Sequence, residues 1–269
     1  MGGKKLSPYA RLLRDLSDAE LASEIERPDR LRLESGLVGN KRIDIAYWPH
    51  PRVNVDAQIA IVGLTPGRQQ MRNAWMEVRR CLRDGYSEAD AFEAARTFAS
   101  FSGPMRDNLV EMLDKIRANE LLGLESTASL WNSDAHLVQF TSVLNRPVFV
   151  NGDNYSGNPP ILSTPLLREQ LRSGFASVAT TLRDAIFVPL GSAVSPAIEF
   201  AAKEDRIDLT RILAGMPHPS GANAERVAFF VGRKRREHLS PKVDADRLIA
   251  ARRTLKAKIK KLLVEQRQS

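Results

Sequence analysis

The chain has 269 residues, 43% of them hydrophobic, and 40 Lys and Arg against 32 Asp and Glu leave a net charge of +8. That length buries a full core as one domain. No apolar run approaches the ~20 residues of a membrane span, and Met1-Gly2-Gly3-Lys4-Lys5 leads into no apolar signal segment, so a cytoplasmic protein without a membrane partner is expected, and it is read as a monomer. Cys81 is the only cysteine, which excludes an internal disulfide and a four-thiolate zinc or iron–sulfur centre within one chain.

Residues 7–26 carry Leu12, Leu13, Leu16, Leu21 and Ile25 among charges at helical spacing. They predict an amphipathic helix, or two short ones if Ser17-Asp18-Ala19-Glu20 is a capping box. Residues 1–40 are read as a helical extension that covers a sheet. Ile43 to Trp48 alternates as an edge strand does and stops at Pro49-His50-Pro51, where His50 is read as a surface residue. Gln58 to Val62 is a β-branched apolar run of the kind found in central parallel strands. Helices are predicted over 68–83, from a Ser87 cap to Phe98, and from Pro104 to about Ala118. In the first of these, Met71, Trp75, Val78 and Leu82 form a core stripe. A second buried strand is expected over 137–144, and a Gly/Asn/Pro loop runs from 151 to 160. A helix over 165–182, a third strand over 185–190, a helix over 195–203 and a short fourth strand from Ile212 to Met216 follow. The chain closes on a basic helix over 244–264, within a terminal segment that starts at 241. Strands alternating with helices predict a single domain over 1–269: three-layer α/β/α, with a central, mostly parallel sheet of four strands.

Two stretches at predicted strand ends carry chemistry-bearing residues. Met216-Pro217-His218-Pro219-Ser220 sets a histidine between prolines, which fix φ and keep the preceding residue extended, so the imidazole stands on a stiff segment. A surface turn has a similar composition. The second stretch, Gly63-Leu64-Thr65-Pro66-Gly67, follows the first buried strand, and ligands of open α/β sheets bind at such carboxyl ends. It is neither a Walker loop nor a dinucleotide fingerprint. Arg226 and Arg233-Lys234-Arg235-Arg236 come soon after His218, and Lys256, Lys258, Lys260 and Lys261 lie in the last helix. This distribution suits nucleic acid; a solvated helix face is the other reading of the 233–236 run.

The order of these segments resembles the uracil-DNA glycosylase superfamily over roughly residues 55–240. Gly63-Leu64-Thr65-Pro66-Gly67 looks like its first motif, and His218-Pro219-Ser220 with Asn223 looks like its second. Phe101-Ser102-Gly103, followed by a helix with Leu109, is similar to the aromatic segment between them. The resemblance implies a monofunctional enzyme that flips uracil out of single- or double-stranded DNA and hydrolyses its N-glycosidic bond, leaving an abasic site. Phe101 would stack on the base. Asn145, or Ser142 in another alignment, would read N3–H and O4, for which a side-chain amide has the matching acceptor and donor. His218 would donate to uracil O2 as negative charge develops there. Gly63, Leu64, Pro66 and Gly67 would line the pocket. Ser220 and the amides after it would grip a phosphate, and Gly221, Asn223 and Arg226 would form the loop that enters the duplex. Arg233, Lys234 and Arg235 would contact phosphates, making binding salt-sensitive. The partner is DNA with uracil or abasic sites, and no metal or cofactor is called for.

Departures from the pattern open alternatives. Thr65 stands where many relatives carry Asp, Asn or Glu to handle the attacking water. A hydroxyl positions water but is no general base near neutral pH, and a missing acid–base group is typically worth roughly 10²–10⁴-fold. Gln69 or Gln70 could share the positioning, and Asp107 is an outlying carboxylate. Gly67 replaces the Tyr with which strict relatives block a 5-methyl group, and residues 221–226 offer no apolar wedge. Two other functions are therefore carried forward: a protein that holds damaged or abasic DNA without turnover, and a glycosylase for another deaminated base such as hypoxanthine. An enzyme of small-molecule nucleotides is a more distant reading.

Overall fold

A computed structural model describes residues 6–50, 52–99, 103–205 and 208–268. Local capping sets the first elements. Ser7 accepts a bond from Ala10 N at the start of α1 (Pro8–Asp15), and Ser17 with Glu20 forms the capping box of α2 (Asp18–Glu26), so the first amphipathic stretch is two helices. Strands β1 (Arg32–Val38), β2 (Lys41–Ala46) and β3 (Ile59–Gly63) follow, then helices α3 (Arg68–Arg83), α4 (Glu88–Ala99), α5 (Pro104–Lys115) and α6 (Ala118–Leu121). Next come β4 (Val138–Ser142), β5 (Val148–Val150) and β6 (Asp153–Asn154). Helices α7 (Pro165–Gln170) and α8 (Ala176–Thr181) are joined by a π-helical turn, Leu171–Phe175. The chain ends with β7 (Ile186–Pro189), α9 (Ser195–Asp205), α10 (Ala224–Val231) and α11 (Ala245–Gln266).

Contacts gather these elements into two compact units. Unit 1 comprises Met1–Val53, Leu64–Ser100 and Ser142–Ser177. Its sheet has the order β1-β2-β5-β6 with antiparallel neighbours. Strand β2 is therefore an interior strand and not the edge that its alternation suggested. Its inward Ile43 and Ile45 are almost wholly buried and pair with Val150 and Val148 of β5. The missed neighbour β1 interrupts its apolar Leu33, Leu37 and Val38 with Glu34, Ser35 and Gly36, so it lacks the apolar alternation by which strands are recognised. It also puts a strand inside the stretch expected to be only helical. The α3 stripe is core as expected: Met71, Trp75, Val78 and Leu82 are buried, and Trp75 Nε1 donates to Tyr47 O at 3.1 Å.

A buried carboxylate closes the passage from α2 to β1. Glu24 is 6% exposed and accepts three backbone N–H groups, from Asp29 at 2.9 Å, Arg30 at 3.0 Å and Leu31 at 3.0 Å. Charge-assisted bonds of this kind are stronger than neutral ones, and removing the acceptor strands its donors.

Unit 2 comprises Asn54–Gly63, Phe101–Thr141 and Val178–Ser269. It is built on the sheet β4-β3-β7, in which β3 and β7 run parallel with Ile59 beside Ile186 and Ile61 beside Val188. Every residue of β3 is buried, which explains its unbroken apolar run. Ile59, Ile61, Ile186 and Val188 share one core with Leu109, Met112 and Leu113 of α5, Val227 and Phe230 of α10, and Leu255, Ile259 and Leu262 of α11. The expected fourth strand shrinks to one parallel bridge, Phe187 with Ile212, and a bond from Leu213 N to Phe187 O at 2.8 Å. Two residues on, Gly215 takes φ +120° and Pro217 has no N–H, so the ladder cannot continue. The described chain is thus mixed α/β with a small parallel sheet of three strands.

Replacing Glu24 by Ala should lower stability by about 2 kcal/mol, because the buried Leu31 N–H and two part-buried backbone donors lose a charged acceptor. Urea unfolding followed by circular dichroism measures it, and a loss below ~1 kcal/mol would mean that solvent satisfies those groups.

Candidate functional site

In unit 2, the segment after the Ile212 bridge is held on both sides. Met216, Pro217 and Pro219 are buried, and a side chain at Gly215 would come within 3.2 Å of Ala251 Cβ on α11. His218 between the prolines is half-buried. Its ring lies on the turn at the carboxyl end of β7: a Cβ at Gly191 would be 3.5 Å from His218 Cβ and 3.7 Å from Cδ2. Gly191 itself sits at φ +90°, where other residues are strained. Ser220 N donates to His218 Nδ1 at 3.2 Å. Nδ1 is thereby an acceptor without a proton, and the proton of the neutral ring is on Nε2. Burial holds the imidazole below its ordinary pKa of 6.5 and so favours this neutral form.

Helix α5 braces the same loop. Asn108 Nδ2 donates to Pro219 O at 2.9 Å, and Asn108 Oδ1 accepts from Arg233 Nη2 at 3.2 Å. Nothing in the sequence singles out Asn108, a polar residue on one face of an ordinary helix. Ser220, Asn223 and Arg226 form a hydrogen-bonded chain: Asn223 Nδ2 to Ser220 Oγ at 3.3 Å, Arg226 Nη1 to Asn223 Oδ1 at 3.3 Å, and Arg226 Nη2 to Lys242 O at 2.9 Å. Gly221 is exposed, with open space where a side chain would be. Most of the basic run is neutralised within the chain. Arg233 pairs with Glu111 at 3.0 Å, Lys234 with Glu225 at 2.7 Å and Arg236 with Asp246 at 2.7 Å; Arg235 reaches only Glu237, at 3.9 Å. Bonds from Lys234 and Ser240 push the Glu225 carboxyl down to about 2. Asp107 is exposed on the first turn of α5.

In unit 1, the turn after β3 is tied to the segment after β4. Leu144 N donates to Leu64 O at 3.0 Å. The Thr65 hydroxyl donates to Arg146 O at 2.8 Å and accepts from Val148 N at 3.1 Å. Most of its capacity is therefore spent on the fold, with one lone pair left. Gly63 and Pro66 are buried, and Leu64 and Gly67 are half-buried. The start of α3 is already capped: Gly67 N donates to Gln70 Oε1 at 3.1 Å and Arg68 N to Asn154 Oδ1 at 2.9 Å. Gly67 has φ −80°, so its backbone does not require glycine, and a Cβ there would meet Asn154 at ordinary contact distance, 3.8 Å. Gln69 is exposed and bonded to Asn73 Oδ1 at 2.8 Å.

Asn145 and Ser142 are both half-buried. A Cβ at Gly174, in the π-helical turn, would lie only 2.4 Å from Asn145 Nδ2, so the amide fills the notch that glycine leaves. Among the described residues the Asn145 amide has no hydrogen-bond partner. Beside it, Arg146 N donates to Gln170 Oε1 at 3.3 Å, while Arg146 Nε and Gln170 Nε2 are buried donors without an acceptor among the described residues. Such orphans are costly in a folded protein and call for a partner. Gln170 and Gly174 were not singled out from sequence, because a π-helical turn has no composition signature. Phe101 lies outside the described residues. His50 is exposed, as read.

Elsewhere in unit 2, a surface groove of 370 Å³ opens at the amino ends of the parallel strands, lined by Gln58, Ile186, Leu121, Leu122, Asp184 and Arg211 among others. It contains none of the candidate residues. Ligand sites of such sheets sit at the opposite, carboxyl ends; His218 lies beside the turn that follows β7 at that end.

Gly174→Ala should force Asn145 out of its notch and cost roughly 1–3 kcal/mol, as overpacking does. Urea unfolding and a crystal structure of the variant test this, and an undisplaced Asn145 would contradict the packing described.

The chain is 33% identical over 213 residues to the uncharacterized protein YoxB of Bacillus subtilis (strain 168), an alignment that spans 78% of this chain and 83% of the relative. No family model matches the chain, and no solved structure does.

Proposed function

This chain belongs to the same family as YoxB of Bacillus subtilis (strain 168), and from its site we propose that it is a monofunctional uracil-DNA glycosylase, a divergent member of that superfamily. In this reading the parallel sheet and the Ile212 bridge are the centre of a three-layer α/β/α fold, and the protein acts as a cytoplasmic monomer on DNA. The observation that carries the reading is the fixed tautomer of His218. With Nδ1 taken by Ser220 N and the ring seated on Gly191, Nε2–H is a preset donor for an oxygen that gains negative charge. A neutral donor costs no proton transfer, and its prolines and the Asn108 brace keep it aimed.

The remaining roles follow from the donors available. Asn145, whose amide is unspent, reads the edge of the extruded base, with Ser142 as the other candidate. The orphaned donors of Arg146 and Gln170 suit a carbonyl oxygen beside it. Thr65 keeps one lone pair for the attacking water, and Gln69 is the nearest amide in sequence. The sugar cation formed on bond cleavage is a strong electrophile, so a weakly activated water suffices.

One observation favours a second reading, a protein that retains damaged or abasic DNA without turnover. Thr65 already bridges Arg146 O and Val148 N, and no carboxylate stands in its turn. Alkali cleavage of single- and double-stranded oligonucleotides that carry uracil, hypoxanthine or a thymine mismatch separates the readings. Scission at uracil is expected; retention of abasic DNA with no scission at any base would establish the binder, and scission at hypoxanthine alone the other glycosylase.

His218→Ala should lower kcat/KM for excision by roughly 10²–10³-fold, the usual loss for one transition-state donor. Thr65→Ala should lower it modestly, and an unchanged rate for His218→Ala would remove the imidazole from the mechanism. Because burial lowers the His218 pKa from 6.5, excision should be flat with pH above 6.5. It should fall only on acidification below that value, when Nδ1 gains a proton and loses the Ser220 bond. A midpoint above 6.5 in the pH–rate profile, absent in His218→Ala, would refute a neutral donor.

A further inference from the structure

The cationic run at 233–236 is largely neutralised by Glu111, Glu225 and Asp246, whereas α11 carries three cations close together without such partners among the described residues. Helix α11 is 22 residues long and buries Leu248, Leu255, Ile259 and Leu262. Two of its cations fasten it: Arg252 donates to Phe230 O at 2.9 Å and Lys258 to Ile212 O at 2.8 Å. Arg253, Lys256 and Lys260 behave differently. At i, i+3 and i+7 they share one outer face. All three are exposed, and none makes an ion pair or side-chain hydrogen bond among the described residues.

The acids of the helix offer them nothing. Asp246 is bound by Arg236 at 2.7 Å, Glu265 by Lys261 at 3.7 Å, and the cap Asp244 by Arg247 N at 2.9 Å. At 1.5 Å per residue the three cations span ~10 Å, a few phosphates along a nucleic-acid strand. An anionic lipid surface would need the apolar face of the helix as well, and that face is in the core.

We propose that the outer face of α11, through Arg253, Lys256 and Lys260, docks the phosphate backbone of duplex DNA and holds the protein on sequence outside the reacting base. The inference rests on the reading of DNA as the partner. Each neutralised phosphate releases counterions, so the contact has a signature in salt.

The full chain and the triple variant Arg253→Gln, Lys256→Gln, Lys260→Gln are titrated with a uracil-free duplex over a range of potassium chloride concentrations. Excision from uracil oligonucleotides is measured separately. The expected result is a slope of log K against log [salt] shallower by about 2–3, at roughly 0.9 per phosphate, with at least ~10-fold weaker binding at low salt and an unchanged melting temperature. Equal slopes and affinities overturn the proposal. So does binding to phosphatidylserine vesicles that the triple variant loses while duplex binding stays as it was. A shallower slope without scission by the parent protein would overturn the glycosylase reading and leave this surface standing.

Discussion

The hydrogen bond from Ser220 N to His218 Nδ1 is the constraint on which the candidate chemistry depends. It converts a residue with two interchangeable nitrogens into one with a defined donor. Its geometry is inherited from outside the loop. Pro217 and Pro219 restrict the backbone, Asn108 anchors Pro219 O, and the Gly191 turn provides a surface without a side chain for the ring. Burial then acts in the same direction as the hydrogen bond, since both disfavour the imidazolium.

Much of the architecture was legible from the sequence. The β-branched run of β3, the Met/Trp stripe of α3, the capping box at Ser17 and the long terminal helix are all cases in which one local pattern fixes one element. What escaped was of a different kind. Strand β1 has no regular apolar alternation and is placed by backbone pairing with β2 and by Leu33 against the core. The fourth strand was an apolar run of the right length, but Gly215 and Pro217 outweighed it. Among the candidate residues, His218 and Thr65 were visible because prolines and glycines mark them. Asn108, Gln170 and Gly174 were not, because their roles come from contacts between segments distant in sequence.

Charge was the least transferable signal. A run of four basic residues reads as a phosphate contact, yet three of them have acidic partners from α5, α10 and α11. The basic character of the last helix shows in the sequence, but only the structure separates Lys258 and Lys261, which are engaged within the chain, from Arg253, Lys256 and Lys260 on the outer face. Net charge bounds the class of partner; the pairing pattern determines which surface is free to meet it.

The ties of the β3 turn reach far along the chain. Thr65 bonds to residues 81 and 83 positions ahead, and Arg68 N is capped by Asn154, 86 positions ahead. During synthesis from the N-terminus, this turn and the first turn of α3 must therefore wait until more than half of the chain has left the ribosome before they can lock. Closing such loops is entropically costly and comes before the contacts that reward it. A translational pause or chaperone hold before residue 154 would leave this corner of the molecule unformed, while α3 already has α1 and α4 to pack its apolar stripe against.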